Sequence, residues 1–210
     1  MNNTFFLFMF LLYFRPADGQ EIPVYQAKPE NDTDFYEVFE GEVSEVLPGC
    51  SWYCGGSVNR IAATSQLPDY KAIAYGAQQA HDFNIATAWV EGQDGYGAGE
   101  RITYYFDLRD QPGHELGITT LLIANGYKKS PDLWKKNSRV KRLRMYLNDQ
   151  PYADIELLDI LNFQSVDIGE IMLPDHAPLT LSFEIIAVYR GDRYADTAIT
   201  ELLFDGVGAH

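Results

Sequence analysis

The chain has 210 residues, 46% of them hydrophobic, with 30 acidic side chains against 16 basic ones and a formal net charge of −14. Such a length and apolar content suffice for one domain with its own core. The acidic balance speaks against nucleic acid as the main partner, because binders of phosphate backbones carry a basic excess.

Residues Phe5 to Phe14, "FFLFMFLLYF", are an unbroken apolar run. A membrane-spanning helix takes about 20 such residues, so this run is too short to cross. Its length is that of the apolar part of a secretory signal, and Ala17 and Gly19 supply small residues at the positions that define cleavage. The leading "MNNT" carries no Lys or Arg. We read residues 1–19 as a signal, leaving an exported chain (secreted, periplasmic or extracellular) without a transmembrane segment. Residues 20–45 read as an acidic, Pro-containing extended arm, with "FYEVFEGEV" as an edge strand, and the main domain as residues 46–206.

"CSWYCGG" holds the two cysteines, Cys50 and Cys54. In an oxidising compartment a pair is first a disulfide, here closing a very small loop around Trp52 and Tyr53. A zinc site needs further ligands, and His81, His114, His176 and His210 are scattered. A redox pair would be spaced C-x-x-C and open a helix. A Cys–His nucleophile stays open but has no supporting motif.

Downstream, one helical turn is expected near Ala77–Ala80, and then strands dominate. In "ERITYYFDL", Ile102, Tyr104 and Phe106 share one face and Thr103, Tyr105 and Asp107 the other. "GITTLLIANGY" is apolar on both faces and ends at the turn pair Asn125-Gly126. Leu143, Met145 and Leu147 alternate with Arg142, Arg144 and Tyr146, and Asn148-Asp149 turns into "YADIELLD". "PLTLSFEIIAVY" aligns Leu179, Leu181, Phe183 and Ile185, and "DTAITELLF" closes the series. No stretch of ten residues shows a helical period. The alternation predicts an all-β antiparallel sandwich or barrel.

Motifs for catalysis are weak. "GYGAGE" precedes a strand, whereas a dinucleotide loop must lie between a strand and a helix. "GGSVN" lacks the last glycine of a nucleophile elbow. Eight of the 16 Lys and Arg lie between Lys128 and Arg144, where Asp132 is the sole acid; this reads as a solvated basic face or as a site for an anionic ligand.

"DFNIATAWVEGQDGYGAGERITYYF" resembles the start of discoidin-like (F5/8 type C) galactose-binding-fold domains. "IANGYKKSPDLWKKNSRVKRLRMYLND" with "VYRGDRYADTAITELLF" resembles, more narrowly, the NADase-type glycan-binding domain found beside secreted NAD glycohydrolases. The likeness covers about Val46 to Phe204. It implies a jelly-roll β-sandwich and a structural calcium whose ligands, by position, are Asp82, Thr87 and Glu201. Phe83 departs from the pattern: it stands where the broad family usually has glycine, which takes positive φ freely. The likeness further implies glycan or glycoconjugate binding, and it places Trp89 as a core anchor. Aromatic rings suit sugar faces and planar polar groups suit hydroxyls, so the loop candidates are Trp52, Tyr53, Tyr96, Tyr127, Trp134 and Tyr194, with Lys128, Arg139, Arg190, Asp192 and Asp196 beside them. Arg139 has a second role open to it, locking its loop to the following strand. The expected function is a secreted non-catalytic carbohydrate-binding module. The alternatives are a protein–protein adaptor of the cell surface or a secretion complex, and an enzyme with an unrecognised carboxylate pair.

Overall fold

The structure, a computed structural model, describes residues 21–30, 52–56, 58–110, 113 and 115–208. The signal segment, the expected strand in "FYEVFEGEV", and Cys50 with its pairing to Cys54 lie outside the described residues.

In chain order the strands are β1 (Val24–Gln26), β2 (Lys28–Pro29), β3 (Arg60–Ala63), β4 (Trp89–Val90), β5 (Arg101–Phe106), β6 (Gly117–Asn125), β7 (Ser138–Leu147), β8 (Gln150–Glu156), β9 (Gln164–Met172), β10 (Leu179–Tyr189) and β11 (Thr197–Val207). One short helix, α1 (Pro131–Lys136), and 3-10 turns at Trp52–Cys54 and Ala77–Ala80 complete the described elements. The chain forms a jelly-roll β-sandwich. One layer runs β3-β5-β10-β7-β8 and the other β2-β9-β6-β11. The second half of β11 pairs with β6, while its first residues pair with β7 and β4, so this strand passes from one layer to the other. Residues Thr197 to Phe204 are accordingly buried in an unbroken run.

Alternation sets which face is inside. Ile102, Tyr104 and Phe106 of β5, Leu143 and Met145 of β7, and Leu181, Phe183 and Ile185 of β10 are buried in the common core. Their outward neighbours form paired charges, including Arg101 with Glu184 and Arg144 with Asp154. Asn148 and Asp149 both take positive φ, 48° and 62°, the conformation that closes a two-residue hairpin between β7 and β8.

The arm is part of the sandwich. β1 lies parallel on β8 and β2 antiparallel on β9, so a single short segment spans both layers. Beyond the strand ladders, its backbone bonds include Asp154 N to Pro23 O (2.9 Å), Ala27 N to Glu156 O (3.0 Å) and Glu30 N to Phe163 O (2.9 Å). Ala27 is buried and Tyr25 packs on the core. Trp52 and Tyr53, expected on an exposed turn, point inward instead. Trp52 is 1% exposed and meets Phe106 and Phe204 edge-on at 6.2 and 6.1 Å. A large aromatic beside an unfilled sandwich edge gains more from burial than from solvent.

Candidate functional site

Five loops meet at one end of the sandwich: residues 64–88, 91–100, 126–137, 157–163 and 190–196. Apart from Trp52 and Tyr53, which lie on the inward-facing 3-10 turn, the residues proposed from sequence for glycan or metal lie there, in these loops or in the adjoining ends of β7 and β11.

The rim is built around α1. Ser130 caps it, its hydroxyl accepting from Leu133 N at 3.2 Å, and Pro131 opens its first turn. Its C-terminal carbonyls are satisfied by the neighbouring loop: Asp192 N donates to Lys135 O, and Arg193 N and Tyr194 N donate to Lys136 O, at 2.8–3.1 Å. Two loops distant in sequence are thereby fixed to each other. Next to them, the Arg190 guanidinium lies 4.8 Å over the Tyr96 ring. The Tyr96 carbonyl accepts from Thr197 Oγ1 at 2.9 Å. Below, the buried Glu91 carboxylate accepts from Thr197 N (3.1 Å) and Gln93 N (2.8 Å). Burial raises its pKa, and these amides work against that shift. Gly97 packs directly on Glu91, where a Cβ would come within 2.4 Å of its Cγ. Arg190, Asp192 and Tyr194 are exposed, Tyr96 is half-buried, and Arg193 lies 5.3 Å over the Tyr194 ring.

Three expected rim residues sit lower. Tyr127 is buried against Tyr75 and a small cluster with Ala88, Val90 and Ala198. Lys128 is buried with its Nζ 4.5 Å over the Phe163 ring, and its backbone N donates to Thr200 Oγ1. Arg139 is buried too: it forks onto Asp159, donates to Asn137 O at 2.9 Å, and stacks 4.5 Å over Trp134. Trp134 is half-buried, donating Nε1–H to Asn125 O at 2.9 Å. Asp196 is also half-buried, and its carbonyl accepts from Ser138 N. The mixture of cations and aromatics in this loop is thus largely internal packing by long side chains. Much of the basic run is likewise paired, Lys136 with Asp132, Arg139 with Asp159, Arg142 with Glu156 and Arg144 with Asp154. Asn125, read from the sequence as half of a turn pair, is buried and its amide bonds both ways to Val140, Nδ2 to the carbonyl and Oδ1 from the N–H.

Asp82, Thr87 and Glu201 come together a short way along the same end. Thr87 Oγ1 donates to Asp82 at 2.8 Å, and Asn84 N donates both to Asp82 Oδ1 (3.1 Å) and to Glu201 Oε1 (2.7 Å). Glu201 is fully buried, and its Oε2 has no hydrogen bond among the described residues. Burial, then the charge of Asp82, pushes the Glu201 pKa up to about 9. Among the described residues no three His, Cys, Asp or Glu side chains converge. The donors are therefore two carboxylates with neutral oxygens, a hard set that fits calcium better than zinc. Phe83 takes φ +57°, so the loop keeps the left-handed turn that glycine would supply. His81, beside it, bonds through Nδ1 to Leu202 O at 2.8 Å, and burial lowers its pKa to about 4.

Comparison with known proteins agrees with this architecture. The chain is an F5/8 type C domain. Residues 52–205 match the model of the NAD glycohydrolase translocation F5/8 type C domain family, and the chain belongs to that family. No curated protein sequence matches it. Among solved structures, the CBM32-1 and CBM32-2 domains of Clostridium perfringens ZmpB in complex with GalNAc superpose with a TM-score of 0.55 at 11% identity, covering 90% of this chain and 41% of that one. The same two domains together with the M60 catalytic domain give 0.54 at 9% identity, covering 90% and 17%. The chain spans less than half the length of these structures, and at such identity the likeness is one of fold. No helix among the described residues is long and apolar enough to cross a membrane.

Proposed function

We propose that this chain is an exported, non-catalytic carbohydrate-binding module that engages a glycan at the loop rim. The supporting observation is the Arg190 guanidinium stacked on Tyr96 at 4.8 Å, with Asp192 and Tyr194 exposed on the same loop. A ring face offers apolar contact to a pyranose, while the guanidinium and carboxylate offer planar donors and acceptors to its hydroxyls. The loop carrying Arg190, Asp192 and Tyr194 is held by backbone bonds to α1, and the Tyr96 carbonyl is held by Thr197 Oγ1, so little ordering entropy is lost on binding. The fold is shared with a domain pair whose structure is of its complex with GalNAc, which makes N-acetylhexosamines the first sugars to try. Export rests on the apolar run at residues 5–14. In this reading Asp82, Thr87 and Glu201, with loop carbonyls, hold a structural calcium that stiffens the loop end.

A glycan array probed with the mature chain tests the proposal. Binding that Tyr96→Ala and Arg190→Ala each weaken by about tenfold, at unchanged thermal midpoint, is expected. Absence of any bound sugar removes it.

The family's description, a translocation domain of NAD glycohydrolase, favours a second reading in which the same rim docks a protein during translocation. Capture of a purified NAD glycohydrolase by the mature chain, abolished by Arg190→Ala without any sugar dependence, would favour it.

A further inference from the structure

Phe83 occupies a conformation that costs a side-chain-bearing residue free energy, and the surroundings must supply it. The loop's own side-chain hydrogen bonds run through Asn84 and Thr87. The Phe83 ring packs on the cluster of Ile85, Ala124, Phe163 and Leu203 and meets Tyr53 edge-on at 4.9 Å with planes at 85°. Tyr53 is itself fixed twice: its hydroxyl accepts from Phe204 N at 2.9 Å, and it sits on the 3-10 turn closed by Gly56 N to Trp52 O at 2.8 Å. Trp52 anchors that turn in the core. Tyr53 also touches His81 at 5.4 Å, so one ring braces both residues flanking Asp82.

We propose that Tyr53 is a positioning residue for the cation loop, holding Phe83 left-handed and thereby doing through packing what glycine does through backbone freedom. This rests on the calcium reading of Asp82, Thr87 and Glu201. The buried Glu201 oxygen without a hydrogen bond is the independent sign of a ligand there. If Phe83 relaxed toward negative φ, Asn84 N would swing off Glu201 and the two carboxylates would part.

The experiment compares the whole chain with Tyr53→Leu, Phe83→Gly and the double variant, measuring calcium affinity by titration calorimetry and exchange of the Asn84 amide in chelator. Tyr53→Leu should weaken calcium by about tenfold and speed Asn84 exchange by a similar factor, since one strained residue is released. Phe83→Gly alone should bind at least as well as the parent. The double variant should return to within about threefold of the parent, because glycine holds the turn without the brace. A merely structural tyrosine would not be rescued by a change at Phe83, so a double variant as impaired as Tyr53→Leu overturns the proposal. So does an unaltered Tyr53→Leu. A parent chain that ignores calcium overturns the metal reading instead, and the metal-free exchange rates still decide on Tyr53. Should Tyr53→Leu fail to fold, Tyr53→Phe, which keeps the ring and drops the hydroxyl, takes its place with smaller shifts in the same directions.

Discussion

Arg139 and Asp159 form a two-point ion pair, at 2.7 and 3.0 Å, that joins the start of β7 to the loop between β8 and β9. The same guanidinium covers Trp134 and bonds the Asn137 carbonyl. Arg139 therefore holds the base of the rim rather than presenting itself on it. Arg139→Ala leaves buried carbonyls and Trp134 without their partner and should cost about 2–4 kcal/mol in urea unfolding. Asp159→Asn, at the more exposed member, should cost under about 1 kcal/mol. Loss of sugar binding at full stability in Arg139→Ala would return this residue to the rim.

Calcium and Glu201 give an opposed pair of effects. Without metal, burial and then Asp82 hold Glu201 protonated at neutral pH, with a pKa of about 9, while the unfolded chain ionises it, so Glu201→Gln should raise the melting temperature in chelator at pH 7. With calcium at about a hundred times its dissociation constant, the parent should gain about 2.7 kcal/mol and the variant close to nothing. Differential scanning calorimetry in both buffers reads the two signs directly.

Acid should act through His81. Its pKa falls from near 6.5 in the unfolded chain to about 4 when folded. Between those values the unfolded state binds the extra proton, so stability rises with pH across the window and is lost as pH falls through it. The loss should reach about 2 kcal/mol by pH 5. In His81→Gln that part of the slope should vanish, which stability curves of the two proteins in chelator would reveal.

Much of the sandwich was visible in the sequence, because strands with one face inside print a period of two. β5 followed its alternation residue for residue, β7 did so from Arg142 to Tyr146, and β10 from Leu179 to Ile185 except at the buried Ser182; the Asn148-Asp149 turn and the Ala77–Ala80 helical turn fell where their residues pointed. β9 was not visible: Gly169, at φ +71°, and Glu170 both face out, and this irregularity breaks the alternation. α1 was missed because six residues carry less than two turns of pattern, although Ser130-Pro131 is a good start signal. Within the site, Tyr96, Arg190, Asp192 and Tyr194 share an end of the molecule as their loops suggested. The inward turn of Lys128 and Arg139 was not legible, since their partners Phe163 and Asp159 come from a loop more than 15 residues away in sequence. Phe83 shows the same limit: its φ is set by Tyr53, which no local pattern names.

The arm offers a further test. Three backbone hydrogen bonds at about 1 kcal/mol each, with burial of Ala27 and part of Tyr25, predict that removing residues 1–30 lowers stability by about 3 kcal/mol or more. Faster exchange of the Asp154 amide, which bonds Pro23, should accompany it. An unchanged unfolding midpoint would show that the edges of β8 and β9 stand without the arm.

The direction in which that arm runs has a consequence for how the molecule is presented. β1 lies parallel to β8 and so climbs toward the loops bearing Tyr96 and Arg190, while β11 descends away from them to Val207 opposite Gly117. Glu21, before β1, and Gly208, after β11, consequently lie on the side away from the loops of Tyr96 and Arg190. A tether, a fused domain or a solid support joined at either point leaves the loops of Tyr96 and Arg190 facing outward.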